Sequence, residues 1–229
     1  PIIDYFLSEG VTLAYAHSDC TYDEAMAAYA RGLSVATHTG NVMTGLHHRD
    51  IGGLGAALNN ENVECEVICD GLHISLEMLK LYFKLKDPSR FMMISDCSGM
   101  AGAPVGQYKG WHPGMIISIT PEGFCLSDTG RLCGSSKPVL YGIGNLVEKL
   151  GMPMSTVSRM ASLNPAKKYG LADRKGSLEV GKDADCVVIT DDYQAVATYV
   201  RGRKVYDCQT DTDLFNPEFY REMRIEENA

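Results

Sequence analysis

The sequence predicts an α/β fold: the C-terminal half of a (β/α)8 TIM-type barrel followed by a small β-sandwich-like appendage. Three observations carry that reading. Four short apolar runs alternate with helical patterns between Val11 and Ile94, at crossover lengths suited to a parallel sheet. A polar residue (His17, His38, His73 or Asp96) stands shortly after each run, where barrels place their ligand-binding groups. From Gly176 the pattern changes to short strands punctuated by glycine.

Residues 11–15 read as the first strand, ending at Ala16-His17-Ser18. Thr21 caps a helix over residues 23–31, with Ala25, Ala28 and Tyr29 on its inner stripe and Gly32 as its stop. Ser34-Val35-Ala36-Thr37 is the second strand, ending at His38. Residues 63–69 form the third, leading into Asp70-Gly71-Leu72-His73. Ser75 caps the next helix, which carries Leu76, Leu79, Leu81, Tyr82 and Phe83 and runs to Lys86. Phe91-Met92-Met93-Ile94 is the fourth strand, ending at Ser95-Asp96. A hairpin over 115–120 and 124–127 then turns at Pro121-Glu122-Gly123, and helices follow around 138–150 and 155–161. The appendage strands are Ser177-Leu178-Glu179, 184–190, 195–201 and 204–206. Asn216, Pro217 and Glu218 supply a cap, a first-position proline and an acidic first turn for a last helix reaching Ile225.

The expected division is a barrel portion over residues 1–175, the β appendage over 176–207 and a tail with a short helix over 208–229. A complete barrel takes about 250 residues and eight βα units. Four units, after an opening Pro1-Ile2-Ile3-Asp4-Tyr5 that reads as the middle of a helix, leave two expectations. Either a partner completes a half-barrel, or about 120 upstream residues are missing by the same arithmetic; the second is favoured. The chain alone is then expected to be inactive.

Lys and Arg number 21 against 29 Asp and Glu, giving −8 and a pI near 5.2. Without a long basic run, nucleic acid is excluded as a partner class. No apolar stretch approaches the roughly 18–20 residues of a membrane span, and the N-terminus lacks the pattern of a signal peptide. The expectation is a cytoplasmic protein with no membrane association. Eight cysteines, without a C-x-x-C pair and mostly in apolar runs, are expected as reduced thiols rather than a disulfide framework or zinc knuckle.

His17 and His38 lie at the ends of consecutive strands, so two imidazoles can converge on one zinc or iron ion. Two ligands are one short of the usual three, so the third comes from elsewhere. Asp96 can serve as general base towards a water and then as acid towards a leaving amine, or can simply cap the Ser98-Gly99 turn. His73 can polarise a carbonyl, hold a substrate hydroxyl, or be a structural loop residue. Just beyond His38, the loop ending His47-His48-Arg49-Asp50 offers a guanidinium whose planar fork suits phosphate, or a solvated surface charge. Gly52-Gly53-Leu54-Gly55 has the wrong spacing for either nucleotide-binding glycine fingerprint.

These residues resemble the N-acetylglucosamine-6-phosphate deacetylase family, an amidohydrolase-type group, over about residues 1–207. The segments that carry the resemblance are Ala16-His17-Ser18, Ala36-Thr37-His38 with Asn41-Val42-Met43, Leu46-His47-His48-Arg49, Asp70-Gly71-Leu72-His73 and Ser95-Asp96. Leu132-Cys133-Gly134-Ser135-Ser136, the block Arg159-Met160-Ala161-Ser162-Leu163-Asn164-Pro165-Ala166, and Lys175-Gly176-Ser177-Leu178 with Gly181-Lys182-Asp183-Ala184-Asp185 extend it, the last two being general to amidohydrolases. The resemblance implies a divalent metal, zinc or iron, on His17 and His38, with Asp96 as catalytic acid and base. It implies that Asn41 and the backbone of Val42 contact the sugar phosphate, that Arg49 binds phosphate across a homodimer interface, and that His73 orients the substrate. Leu132, Cys133 and Gly134 would line the sugar pocket. The implied reaction removes acetate from N-acetylglucosamine 6-phosphate to give glucosamine 6-phosphate in amino-sugar catabolism. Alternatives are a related amidohydrolase acting on another acylated or cyclic amine, or a non-catalytic fragment with an assembly role. The family's carboxylate metal ligand precedes the matched region, and departures at Asp19, Gly40, Val42, Asp50 and Lys137-Pro138 fall largely around the sugar pocket.

Overall fold

A computed structural model describes residues 2–212 and 217–225. After α1 (Ile2–Ser8), four parallel strands pair in sequence order: β1 (Ala14–Tyr15), β2 (Val35–Ala36), β3 (Glu64–Ile68) and β4 (Phe91–Ile94). Tyr15 lies opposite Ala36, Ala36 opposite Cys65, and Ile68 opposite Ile94. Between them run α2 (Tyr22–Ala30), α3 (Gly52–Asn59) and α4 (Leu76–Leu85), the crossovers that a parallel sheet needs.

Side chains alternate across these strands, and one set meets the helices. Tyr15, Ala36, Cys65, Val67, Phe91 and Met93 share a core with Ala25 and Tyr29 of α2, Leu54 and Ala57 of α3, and Leu79 and Tyr82 of α4. Glu64 and Glu66 occupy the alternate positions of β3, so the opposite face is partly charged. Local chemistry fixes the helix ends. Thr21 and Glu24 form a reciprocal capping box on α2, and Ser75 accepts from the Met78 amide at the start of α4. Of the apolar residues that α4 carries, Leu79 and Tyr82 are buried and Leu81 is exposed.

The sequence pattern gave no warning of α3, because three of its first four residues are glycine. Those glycines let the helix press against the sheet: a Cβ on Gly53 would overlap the Tyr15 hydroxyl. The buried Lys86 ammonium donates to the carbonyls of Ala57 and Asn60 at 2.9 and 2.6 Å, satisfying the C-terminal end of α3. Burial pulls that ammonium below its ordinary pKa.

Past β4 the expected hairpin appears as β6 (Ile116–Ile119) and β7 (Cys125–Ser127), joined by an unforeseen edge strand, β5 (Gly106–Lys109). This antiparallel sheet has its own core of Met100, Tyr108, Ile117, Ile119 and Cys125. The expected helix over 138–150 begins as α5 (Val139–Gly144) and widens to a π-type turn over Asn145–Lys149; the Asn145 amide donates to Cys69 O at 3.0 Å. The next helical stretch comprises α6 (Met154–Ser158), a second wide turn and α7 (Asn164–Lys168), beyond the expected 155–161.

Strands β8 (Cys186–Ile189), β9 (Ala195–Val200) and β10 (Arg203–Asp207) form one antiparallel layer in the order β10-β9-β8. Ser177-Leu178-Glu179 is not a strand. Leu178 is exposed, Ser177 Oγ donates to Glu179 at 2.7 Å, and positive φ at Gly176 and Gly181 turns the chain on both sides. Helix α8 (Pro217–Met223) packs Tyr220 and Met223 against the β5–β7 core. Asn216, its expected cap, lies outside the described residues. The eight cysteines are free thiols, and no helix among the described residues is long and apolar enough to cross a membrane.

Candidate active site

The parallel strands deliver polar residues at a repeated offset. β1 ends at Tyr15, β2 at Ala36, β3 at Ile68 and β4 at Ile94; two residues beyond each stand His17, His38, Asp70 and Asp96. Three of the four have left-handed backbones: φ is 44° at His17, 31° at His38 and 48° at Asp96. Such conformations cost a non-glycine residue about 1–3 kcal/mol and persist where surrounding bonds enforce them. Seven described non-glycine residues have positive φ, and four of them are His17, His38, Asp96 and Val42, so the strain concentrates at this end of the sheet. The enforcing bonds are visible. Thr37 N donates to Tyr15 O at 2.9 Å, Thr39 N to Glu66 O at 2.7 Å and Ser135 N to Asp96 O at 2.8 Å.

The sharp turns bring His17 and His38 together, ring centroids 4.8 Å apart at 41°. His17 is exposed, whereas His38 is buried and its Nδ1 has no hydrogen-bond partner. An orphaned ring nitrogen is costly in a folded protein unless a ligand uses the site. Imidazole nitrogens are common ligands of zinc and iron, so two adjacent rings, one with an unpartnered nitrogen, fit a divalent metal. Among the described residues no third His, Cys, Asp or Glu joins them. Burial raises the nearby Glu66 carboxyl, partly offset by the Tyr169 hydroxyl and by His38.

Asp70 and His73 form a second cluster, and here the sequence reading named only the histidine. Both side chains are almost fully buried, with His73 Nδ1 2.8 Å from Asp70 Oδ2. Ser135 Oγ donates to the same oxygen at 2.9 Å. The signal was available: a carboxylate two and three residues before Leu72 and His73 is positioned for an Asx turn, which the amides of Leu72 and His73 complete at 2.8 and 2.9 Å.

The remaining candidates surround these clusters without all touching them. Asn41 Nδ2 donates to His38 O at 3.1 Å, and Val42 O accepts from Ser18 N at 3.0 Å, placing that loop beside both histidines. Val42 is exposed at φ 51°. Arg49 is exposed; its backbone amide donates to His47 Nδ1 at 3.3 Å, and its guanidinium makes no ion pair within the described residues. Leu132 is exposed and Cys133 half-buried. Gly134 must be glycine: φ is 70°, and a Cβ would come within 2.7 Å of Asp96 O. No hydrogen bond joins Arg49, Leu132 or Cys133 to the histidine pair.

The chain as a whole is similar to known proteins. The sequence profile of the Amidohydrolase family matches residues 8–205. N-acetylglucosamine-6-phosphate deacetylase of Vibrio furnissii is 35% identical over 208 residues, covering 91% of this chain and 51% of the relative. N-acetylgalactosamine-6-phosphate deacetylase of Escherichia coli O157:H7 is 30% identical, covering 88% and 52%. The crystal structure of N-acetylglucosamine-6-phosphate deacetylase from Pasteurella multocida superimposes with a TM-score of 0.82 at 30% identity, covering 90% of this chain and 54% of that one. The chain thus spans about half the length of the relatives it matches. With the family profile matching most of its length and the strained strand ends carrying its polar groups, the chain belongs to the amidohydrolase family.

Proposed function

We propose that the chain forms part of a metal-dependent deacetylase that hydrolyses N-acetylglucosamine 6-phosphate to acetate and glucosamine 6-phosphate. The observation that carries the proposal is the trio His17, His38 and Asp96, each held left-handed two residues past a parallel strand. His17 and His38 hold the metal, zinc or iron. When bound, such an ion polarises an amide carbonyl and lowers the pKa of water. Asp96, exposed at its strand end, takes a proton from the attacking water and passes it to the departing amine. Asn41 and the Val42 backbone hold the sugar phosphate, and His73 orients the sugar. Leu132, Cys133 and Gly134 wall the pocket.

In this reading the four strands are one half of a (β/α)8 barrel occupying residues 1–175, the β8–β10 layer belongs to an appendage, and the enzyme works as a cytoplasmic homodimer in which Arg49 serves the phosphate. A second reading, the N-acetylgalactosamine phosphate epimer, has the support of the Escherichia coli relative. Acetate release from the two sugar phosphates and from unphosphorylated N-acetylglucosamine tests both. We expect N-acetylglucosamine 6-phosphate to be turned over fastest. A charge-assisted contact contributes about 1.5–3 kcal/mol, so Arg49→Ala should lower kcat/KM for the phosphorylated sugar by about 10- to 150-fold. The unphosphorylated sugar should be almost unaffected. Equal losses on both would remove Arg49 from phosphate binding, and faster turnover of N-acetylgalactosamine 6-phosphate would select the second reading.

A further inference from the structure

Every acceptor position of the Asp70 carboxylate is filled by the chain itself. Oδ1 takes the amides of Leu72 and His73 at 2.8 and 2.9 Å; Oδ2 takes His73 Nδ1 at 2.8 Å and the Ser135 hydroxyl at 2.9 Å. An ionised carboxylate offers about four such positions, so none is left for a metal or for solvent. Burial disfavours the charge, but the His73 ring and the two amides outweigh it and hold the carboxyl down at about 2. An ionised carboxylate only accepts, so each of the four facing groups must donate, and His73 Nδ1 must carry a proton. A neutral ring protonated at Nδ1 has its lone pair on Nε2. That nitrogen makes no hydrogen bond among the described residues.

Ser135 extends this cluster to the neighbouring strand end. It is 1% exposed; its hydroxyl reaches Asp70, its amide donates to Asp96 O at 2.8 Å and its carbonyl accepts from Ser98 N at 3.0 Å. One residue therefore ties the His73 ring, the Asp96 turn and the Leu132–Gly134 segment together.

We propose that Asp70 and Ser135 are positioning residues: they fix His73 as the Nδ1–H tautomer, present Nε2 as an acceptor for a hydroxyl of the sugar, and lock that ring to the strand end carrying Asp96. Only the identity of the substrate rests on the deacetylase reading. A lone pair at Nε2 accepts from a hydroxyl and does not polarise a carbonyl, which decides between the two roles open to this histidine.

The test is a long-range nitrogen–proton correlation spectrum of the histidine-labelled holoenzyme at pH about 8, above the ordinary histidine range, with His73→Gln assigning the signal. We expect a neutral His73 ring with the proton on Nδ1. In Asp70→Asn the amide turns N–H groups towards groups that already donate, so the ring should revert to the Nε2–H form. Ser135→Ala removes one of the four donors without adding another and should keep Nδ1–H. In the holoenzyme Asp70→Asn should also lower kcat/KM by about 10- to 100-fold, the usual consequence of losing a group that orients a site residue. If Asp70→Asn fails to fold, the unsubstituted holoenzyme decides alone. An Nε2–H ring, a doubly protonated ring, or an Nδ1–H ring unchanged in Asp70→Asn would each overturn the proposal. Because the spectrum needs no turnover, failure of the deacetylase reading shows separately, as an expected tautomer without acetate release.

Discussion

Asp96→Asn should lower acetate release by the holoenzyme about 10²- to 10⁴-fold, the range contributed by one general acid–base group. The substitution keeps the size and the turn-forming ability of the residue, and asparagine tolerates a left-handed backbone as well as aspartate does. The turn at φ 48°, held by Ser135 N on Asp96 O, should therefore persist, and so should metal content. What disappears is a carboxylate able to take a proton from water and return it to the amine. Parallel measurements of kcat, metal content and thermal unfolding check this. A loss of kcat with the other two unchanged supports the acid–base role. A drop in stability with kcat per folded molecule intact would make Asp96 the cap of the Ser98-Gly99 turn.

His38→Ala should lower metal affinity by more than about 100-fold, since even groups that only support a ligand contribute 10- to 100-fold, and activity should fall with it. His38 has the left-handed backbone, the buried ring and the orphaned Nδ1, a combination that a bound metal would offset. His38→Gly isolates those costs. Glycine relieves a left-handed penalty of about 1–2 kcal/mol at an entropic cost of about 0.5–1 kcal/mol. The metal-free glycine variant should therefore fold about as stably as the unsubstituted protein while losing the metal. Elemental analysis and chemical denaturation give the two readings. A glycine variant that still takes up metal when loaded, and whose metal-free form is several kcal/mol less stable than the metal-free unsubstituted protein, would make His38 a structural residue.

The placement of the candidate residues at the strand ends was legible because its signals are local. A short apolar run followed by His17, His38 or Asp96 marks a strand and its C-terminal end without knowledge of packing. Thr21 and Ser75 mark helix starts through side-chain chemistry that acts within three residues. Where the deciding contact is distant in sequence, the reading failed. Helix α3 has a poor composition for a helix and forms because its glycines fit against Tyr15 and Lys86 closes its end. β5 exists as an edge through pairing with β6 and contact with Tyr220, 112 positions after Tyr108. Asp70 looked like part of a motif, and its full load of donors depends on Ser135, 65 residues away. Leu178 had the alternation of a strand, but no partner strand covers it.

The central claim is that the His17, His38 and Asp96 strand ends form one hydrolytic centre, and product analysis tests it most directly. Metal-loaded holoenzyme is given N-acetylglucosamine 6-phosphate, and acetate and free amino sugar are measured together. The account predicts equal amounts of the two products, formation that stops when the metal is removed and returns when it is restored, and none of that recovery in His17→Ala or His38→Ala. Product formation at the unsubstituted rate in His38→Ala or Asp96→Asn would contradict it.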